Sequence, residues 1–520
     1  MTRNAILAPY DKTGLDVFAR GLTEAGFTIY STSGTLKYLA DAGVPARSIS
    51  EMTGAPEMLG GRVKTLHPKV HGGILARRDL PEHLAELDQH GIEPIELICV
   101  NLYPFRETIG REDVTEALAL ENIDIGGPTM LRAAAKNFPS VLVLVDPSDY
   151  ETALAQIKSG DLPHDFRRSL ATKAFQHVAA YDTMIARYLR TGDEKFPSEL
   201  TVGLDLVAET RYGENPHQRG SVYRDKAPGA NPGVVGADLL HGMAMSYLNY
   251  FDADAAWRTA IDFDSPTVVI VKHATPSGIA SHEDVAVAYR RAYDSDTISP
   301  FGGIIAVNRP VTWDMTEAMK GKRYDIIIAP GYEDSALDRL QKRKDLRIIR
   351  TKSADRTAAP VEFRSILGGM LVQTPDTMRG EDLDPKVVTK RAPTDAELAE
   401  LRFAWTCVKH VRSNGVVIAK DRATIGIGTG QPNRLWPTQQ AIERAQAGAG
   451  PGAGDRIKGA VIASDAFFPF AKGDAVEDAC KAGIAAIIQP GGGARDDEAI
   501  DVCDQYGVAM VFSGVRAFRH

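Results

Sequence analysis

Apolar and polar residues come in short alternating blocks through the first half of the chain. Residues 4–9 form an apolar run, and the polar turn Asp11-Lys-Thr-Gly14 follows it. Leu15, Val17, Phe18 and Leu22 then recur at helical spacing until Gly26. Residues 27–30 are β-prone, and Ser31-Thr-Ser-Gly-Thr35 opens a second helix that closes at Gly43. Strand, polar loop and helix in repetition predict a parallel α/β sheet. Residues 97–100 and 141–145 read as further buried strands. In such a sheet a ligand sits beyond the carboxyl ends of the strands, where these Ser/Thr/Gly loops fall.

Residues 162–191 read as helical, and 191–198 form a polar break with no apolar period. That break predicts the main boundary, with one domain over 1–193 and the next over 199–520. Downstream, short apolar runs at 267–271, 304–307, 326–329, 416–419, 460–463, 485–488 and 508–512 predict another α/β unit, or two. Residues 446–454 are a Gly/Ala-rich stretch expected to be a mobile surface loop. No short repeat of the solenoid kind is present.

Composition narrows the class. At roughly 150 residues per domain, 520 residues suggest about three compact units or two larger ones. Sixty basic against 68 acidic residues give a net charge of −8, which speaks against bulk nucleic-acid binding but leaves room for a local phosphate pocket. Cys99, Cys407, Cys480 and Cys503 show no CxxC pairing, so neither a disulfide framework nor a zinc knuckle is expected. The first eleven residues lack the long apolar stretch and cleavage site of a secretory signal. No segment approaches the ~18 apolar residues of a membrane helix. A cytoplasmic enzyme with no membrane partner is the expectation.

The densest basic cluster runs from Gly60 to Gly73 and holds Arg62, Lys64, His67, Lys69 and His71 between paired glycines. Cations beside exposed backbone amides suit an anion; a solvated basic loop is the plainer reading. It is not a Walker loop, because the Gly-Lys-Ser/Thr spacing is missing. Asn101-Leu-Tyr-Pro-Phe105 follows a predicted strand directly, and Asp124-Ile-Gly-Gly-Pro128 precedes Arg132 and Lys136, which share one helical face. A buried Tyr or a capping Asp would explain either motif equally well. In the second half, Arg211-Tyr-Gly-Glu-Asn-Pro-His-Gln218 packs polar and aromatic groups into a turn. Lys272 and His273 end a buried strand; both serve one site only if the strand stops there, since neighbours on a strand face opposite ways. A lysine there suits oxyanion stabilisation and an imidazole suits proton uptake, while a helix-capping turn is the plainer alternative. Asp465-Ala-Phe-Phe-Pro-Phe470 sets a carboxylate among aromatics. Gly426-Ile-Gly-Thr-Gly430 mimics a dinucleotide fingerprint but reads as part of a hairpin after Asp421-Arg422. No HxE with PCxxC appears, so zinc deaminase chemistry is not supported.

Together and in this order, Gly-Gly-Arg-Val-Lys-Thr-Leu-His-Pro, Asn-Leu-Tyr-Pro-Phe, Asp-Ile-Gly-Gly, Arg-Tyr-Gly-Glu-Asn-Pro-His-Gln, Lys-His and Ser-Asp-Ala-Phe-Phe-Pro-Phe resemble the bifunctional purine biosynthesis family that joins AICAR transformylase to IMP cyclohydrolase. The resemblance spans essentially the whole chain. It implies an α/β protein: an N-terminal methylglyoxal-synthase-like, doubly wound parallel sheet and a C-terminal α/β domain of two cytidine-deaminase-like halves without catalytic zinc. It implies formyl transfer from the cosubstrate 10-formyltetrahydrofolate to AICAR, then dehydrative closure of formyl-AICAR to IMP. Lys272 and His273 would serve formyl transfer. Arg211, Tyr212, Asn249 and Arg516 would contact AICAR, with Phe301, Asp325, Asn414, Arg434, Asp465 and Phe467 in the nucleotide or folate pocket. For cyclisation the resemblance implies Lys136 as proton donor and acceptor, with Lys64, Tyr103 and Asp124 close by. Tyr10, Lys12, Thr32, Gly34, Thr35, Arg62, Thr65 and Asn101 would hold the nucleotide. It further implies a homodimer with transformylase sites at the interface, no catalytic metal, and a structural alkali cation without identified ligands.

Three stretches depart from the family pattern. Ala8-Pro-Tyr10 replaces Ser-Val-Ser or Ser-Val-Tyr, removing a hydroxyl expected on phosphate. Gly242-Met-Ala-Met-Ser-Tyr-Leu-Asn249 lacks the usual lysine, acid and second Asn. Lys272-His-Ala-Thr-Pro-Ser-Gly278 lacks the Asn-Pro-Cys frequent in bacterial members. Ala8 motivates an alternative in which the chain keeps transformylase only and the N-terminal domain is a nucleotide-binding regulatory module.

Overall fold

The structure is a computed structural model that describes residues 3–56, 58–190, 194–227, 233–352, 361–447 and 455–520. Part of the polar break (191–193) and most of the Gly/Ala-rich stretch (448–454) lie outside the described residues. The chain divides into two compact units, Met1–Asp205 with Asp225–Ala230, and Leu206–Arg224 with Asn231–His520.

In the first unit, the apolar runs become five strands: β1 (Arg3–Leu7), β2 (Phe27–Ser31), β3 (Arg47–Ser48), β4 (Ile95–Cys99) and β5 (Leu142–Leu144). They pair in parallel in the order β3-β2-β1-β4-β5. Parallel strands must be joined by crossovers, and helices supply them. The helix Leu15–Glu24 turns Leu15, Phe18, Ala19 and Leu22 inward, the stripe read from the sequence, though Val17 stays in water. Ile6, Leu7, Leu97, Ile98, Val143 and Leu144 are fully buried between helical layers, and each such side chain stabilises the fold by about 2 kcal/mol.

β6 (Leu204–Thr210) and β7 (Gly220–Asp225) fall mostly in the second unit, whose further strands are β8 (Asp238–His241), β9 (Thr267–Lys272), β10 (Thr275–Ser281), β11 (Gly303–Val307), β12 (Tyr324–Ala329) and β13 (Arg347–Arg350). Then come β14 (Glu362–Ile366), β15 (Gly369–Gln373), β16 (Lys386–Val387), β17 (Val416–Lys420), β18 (Ala423–Gly428), β19 (Val461–Ser464), β20 (Ala486–Gln489) and β21 (Ala509–Phe512). Twelve form one sheet in the order β16-β21-β20-β19-β17-β18-β10-β9-β11-β12-β13-β8, while β6–β7 and β14–β15 form separate ribbons. From either edge inward the pattern is the same: an antiparallel edge strand, three parallel strands, then an antiparallel hairpin. The two hairpins meet at Ala280 and Ala423.

Strand direction decides what shares an edge. The carboxyl end of β9, the amino ends of β11–β13 and the carboxyl ends of β19–β21 fall on one edge of the sheet. Residues 426–428 close β18, the second strand of the hairpin that Asp421-Arg422 turns, as the hairpin reading expected. All four cysteines are buried thiols. Among the described residues, no helix is long and apolar enough to cross a membrane.

Candidate active sites in the two units

In the first sheet β1 and β4 are neighbours, but the chain leaves β1 toward β2 and leaves β4 toward β5. This is a topological switch point, where the loops beyond the carboxyl ends part and leave a crevice. Asn101 ties the two loops together: its Oδ1 accepts the Asp11 N–H at 2.8 Å and its Nδ2 donates to the Asp11 carbonyl at 3.3 Å. Tyr10 and Tyr103 meet edge to face with ring centroids 5.8 Å apart, and Lys12 Nζ lies 5.8 Å from the Tyr10 ring.

The next wall is the helix Ser33–Asp41, with Thr32 as its N-cap residue and Gly34 and Thr35 in its first turn. Thr35 Oγ1 donates to the Pro9 carbonyl at 3.2 Å, and Lys64 Nζ donates to Ser33 Oγ at 3.2 Å. A helix N-terminus offers unsatisfied N–H groups and partial positive charge to an anion. No atom lies within 4 Å of where a Cβ on Gly34 would stand, so this turn is open to close approach. Opposite, a Cβ on Gly126 would stand 2.6 Å from Thr65 Oγ1, which is why that position takes glycine. Asp124 Oδ1 accepts the Gly127 N–H at 2.9 Å, at the head of the helix Gly126–Lys136. Burial pushes its carboxyl above the ordinary range, against the pull of the Gly127 and Gly126 N–H groups. The Tyr181 hydroxyl holds the loop, accepting the Asp124 N–H and donating to the Asn122 carbonyl.

Not every sequence candidate reaches this crevice. Arg62 forms a surface ion pair with Glu121. His67 takes the plainer role: its Nδ1 accepts the Lys69 N–H at 3.1 Å as N-cap of the helix Pro68–Leu75. Lys136 occupies the last turn of the helix that starts beside Asp124, about 15 Å along the axis at 1.5 Å per residue. The next residue, Asn137, donates to the Ile74 and Ala76 carbonyls, beside the amino end of β4. Lys136 therefore stands at the opposite edge of the sheet from Lys64, Tyr103 and Asp124.

In the second unit, β9 stops at Lys272, and His273 and Ala274 form a two-residue turn into β10. Both have positive φ, 53° and 54°, the left-handed pair of a type I′ hairpin. The pair is thus a hairpin tip and not a helix cap. Lys272 Nζ donates to the Phe301 carbonyl at 2.8 Å, while His273 is exposed beyond the sheet edge. Along the same edge, Asp325 follows the first residue of β12 and Arg347 opens β13. Burial lowers the affinity of Arg347 for its proton, Asp325 opposes that, and Arg211 adds to it, which puts the three charges in one neighbourhood. Arg211 also leans over Tyr212 at 5.7 Å. Arg347 donates to the Met243 and Ala244 carbonyls, fixing the departed segment 242–249. Asn249 closes that segment as half of a capping box with Ser246, a structural role that its pocket reading did not include.

A second cluster lies farther along this edge. The buried Asp465 carboxylate accepts from Arg434, from Ser413 Oγ at 2.6 Å and from the Gly415 N–H at 2.8 Å. Arg434 also donates to Asn414 Oδ1 at 2.5 Å, and the Ala517 N–H reaches the Asp465 carbonyl. Arg516 thereby comes to this cluster, stacked 4.4 Å from Phe518, and Phe467 is exposed at its rim. Four strand spacings separate Asp465 from Lys272, roughly 19 Å at ~4.8 Å per strand. Among the described residues, no group of three or more His, Cys, Asp or Glu is placed to hold a metal ion.

Sequence reasoning missed Ser33, Tyr181 and Arg347. Ser33 lay inside the loop already singled out, and Arg347 was detectable as a charge heading the apolar run Arg347–Arg350. Tyr181 gave no local signal, because its role arises only when a distant helix packs beside Asp124.

The family described as MGS-like domain matches residues 14–129, and that described as AICARFT/IMPCHase bienzyme matches residues 134–444. Proteins named bifunctional purine biosynthesis protein PurH are 48% identical in Caldicellulosiruptor saccharolyticus, 49% in Pediococcus pentosaceus and 46% in Oceanobacillus iheyensis, each alignment covering all of both chains. A solved structure named "Crystal structure of ForH" is 41% identical over 35% of this chain and 95% of its own, at a TM-score of 0.33. On the full-length relatives and the matched domain, the chain belongs to the AICARFT/IMPCHase bienzyme family, with an MGS-like domain at its N-terminal end.

Proposed function

We propose that this chain catalyses the last two steps of purine ring synthesis: formyl transfer from 10-formyltetrahydrofolate to AICAR, then closure of formyl-AICAR to IMP. The observation that carries this reading is the end-to-end correspondence with relatives named bifunctional purine biosynthesis protein. That correspondence includes the N-terminal domain, so a transformylase-only chain is not favoured. Residues 1–193 are assigned to cyclisation and 199–520 to formyl transfer.

The amine of AICAR is a poor nucleophile, because its lone pair is delocalised into the imidazole and carboxamide. Attack on the formyl carbon needs the amine proton removed and the developing oxyanion stabilised. We assign the first task to His273 and the second to Lys272, held at one hairpin tip. Arg211, Tyr212, Asp325, Phe301 and Asn249 are assigned to the nucleotide beside it. Asn414, Arg434, Asp465, Phe467 and Arg516 are assigned to the second part of the pocket. The roughly 19 Å between these clusters favours sites completed by a second copy of the chain. The ribbon β14–β15 supplies an apolar surface for it, exposing Phe363, Ile366, Leu367, Met370 and Leu371.

In cyclisation the carboxamide nitrogen attacks the formyl carbon and water leaves. We assign the phosphate and ribose to Thr32, Gly34, Thr35, Lys12, Thr65 and Asn101 around the helix N-terminus, with Tyr10 beside them; Arg62 joins them only by leaving its surface pair with Glu121. Proton transfer is assigned to Lys64, Tyr103 and Asp124 at the crevice, where burial raises the Asp124 carboxyl above its ordinary range. Lys136, at the far turn, acts on the crevice only through the helix it shares with Asp124.

We also read the repeated strand order of the twelve-stranded sheet as two deaminase-like halves without catalytic zinc, in a cytoplasmic homodimer. A structural alkali cation belongs to this reading without assigned ligands; nucleic acid and membrane do not. The coupled assay from AICAR and 10-formyltetrahydrofolate, with formyl-AICAR and IMP followed separately, tests the proposal. Both products are expected; formyl-AICAR that never becomes IMP would reduce the function to the first step.

A further inference from the structure

The hairpin tip that carries Lys272 and His273 is an unfavourable piece of backbone. Two consecutive residues with side chains, His273 and Ala274, occupy the left-handed region, where glycine or asparagine is the usual occupant. Within the turn, only a 3.3 Å bond from the Thr275 hydroxyl to the His273 carbonyl is present among the described side chains. Outside help comes from the helix Tyr247–Ile261, whose half-buried Asp252 points its carboxylate at the turn. Asp252 Oδ1 accepts the Ala274 N–H at 2.7 Å, and the His273 N–H also bonds to this carboxylate. Both left-handed peptides are therefore pinned by one side chain on a rigid element.

The other half of the sheet repeats the device. Asp421 and Arg422 form the equivalent tip between β17 and β18, with φ of 55° and 54°. Glu400 stands at the same chain offset from Lys420 as Asp252 does from Lys272, and both its oxygens accept the Arg422 N–H, at 2.9 and 3.0 Å. Even the lysine latch recurs: Lys420 Nζ donates to the Lys458 carbonyl at 2.8 Å, as Lys272 does to Phe301. What differs is the cargo, since the second tip presents Asp421 where the first presents His273. The two tips also fall on opposite edges of the sheet.

We infer that Asp252 is a positioning residue for formyl transfer, fixing the hairpin tip so that His273 and Lys272 address one substrate. This rests on the assignment of that pair to formyl transfer. Glu400 is its matched structural counterpart, tying the same turn without a reacting group on it.

The test compares Asp252→Ala, Asp252→Asn, Glu400→Ala and His273→Ala in the full-length protein. Formyl transfer is read as tetrahydrofolate release, cyclisation as IMP formed from formyl-AICAR, and Ala274 amide exchange by hydrogen–deuterium exchange. Asp252→Ala is expected to lower the formyl-transfer kcat about 100-fold, the scale of a 1 Å misplacement, with the KM for AICAR within about threefold. Ala274 exchange should quicken in step. Asp252→Asn keeps a carbonyl acceptor for both N–H groups and should recover to within about fivefold of the parent. Glu400→Ala should stay within about twofold, and cyclisation should be unchanged in these three variants.

Equal losses in Asp252→Ala and Glu400→Ala would overturn the inference, because both would then report loosened structure. So would an Asp252→Ala enzyme with parental kcat, or an Asp252→Asn enzyme as slow as the alanine variant. Parental formyl transfer in His273→Ala would instead remove the pair assignment itself and the positioning role with it; a slow His273→Ala beside a normal Asp252→Ala would sink the positioning role alone.

Discussion

Asp124 and Lys64 illustrate how single residues acquire chemistry from their placement. Asp124 is an ordinary carboxylate in sequence, yet burial at the head of a helix raises its pKa. Lys64 reaches Ser33 at the mouth of the same crevice. Lys64→Ala and Asp124→Asn are each expected to slow cyclisation of formyl-AICAR about 100-fold or more, the usual worth of a positioned acid or base. Lys136→Ala, at the far end of its helix, should slow it less than Lys64→Ala does; the reverse order in an IMP-formation assay would contradict the geometry. Asp262 offers a residue-scale stability test. Burial would raise its pKa, but bonds from His410 and Lys409, each at 2.7 Å, outweigh that and hold it at about 2, below the ordinary 3.8. His410 itself is pushed down by burial, against the pull of Asp262. A depressed carboxylate adds stability that is present above pH 3.8 and lost as pH falls through about 2. That contribution is about 2 kcal/mol. Asp262→Asn should flatten this acid limb and cost about 3 kcal/mol at pH 7 in denaturant titrations.

At the scale of elements, glycine marks where a strand and a helix touch. A Cβ on Gly278 in β10 would stand 1.8 Å from the Ala292 carbonyl, and one on Gly426 in β18 would stand 2.0 Å from Ala441. Backbone cannot give way as a flexible side chain can, so Gly278→Ala and Gly426→Ala should each destabilise by about 3 kcal/mol. Gly34→Ala is the contrast. With no neighbour near its Cβ position, it should leave the melting temperature within about 2 °C while raising the KM for formyl-AICAR, because the methyl intrudes where the ligand's phosphate meets the helix N-terminus. Thermal melts beside steady-state kinetics separate the two kinds of glycine. The hairpins show the same logic. Their tips carry His273-Ala274 and Asp421-Arg422 without any glycine; the sequence read a hairpin at the second but not at the first, and carboxylates on packed helices hold both.

For the whole molecule, the proposal assigns the two activities to different units, each with its own sheet edge. Variants in the crevice of the first sheet should therefore leave formyl transfer intact. The apolar ribbon β14–β15 makes a different prediction. Replacing Phe363, Met370 and Leu371 together by Ser removes exposed apolar area of the kind that marks a protein–protein contact. The variant should sediment as a monomer, lose most formyl transfer and keep cyclisation. A monomer with undiminished formyl transfer would show that one copy holds a complete site.

Much was legible from residues in chain order. The alternation of apolar runs with polar loops predicted the parallel sheet, because side-chain burial imposes its period directly on sequence. Asn101, Tyr103 and Thr35 were readable because they lie in or just beyond loops that follow strands, and Lys64 because it sits in the basic cluster between Gly60 and Gly73. Other features arose only from packing. The rule that ligands lie beyond carboxyl ends did not foresee Asp325 and Arg347 at the amino ends of β12 and β13. Strand direction around the antiparallel hairpins brings those ends to the edge that Lys272 and Asp465 occupy. Lys136 parted from Asp124 because a helix of eleven residues carries its last turn to the other side of the sheet. Local pattern determined which segments are strands, helices and polar loops; only the tertiary pairing decided which ends meet, because contact order in space follows hydrogen-bonded neighbours and not position along the chain.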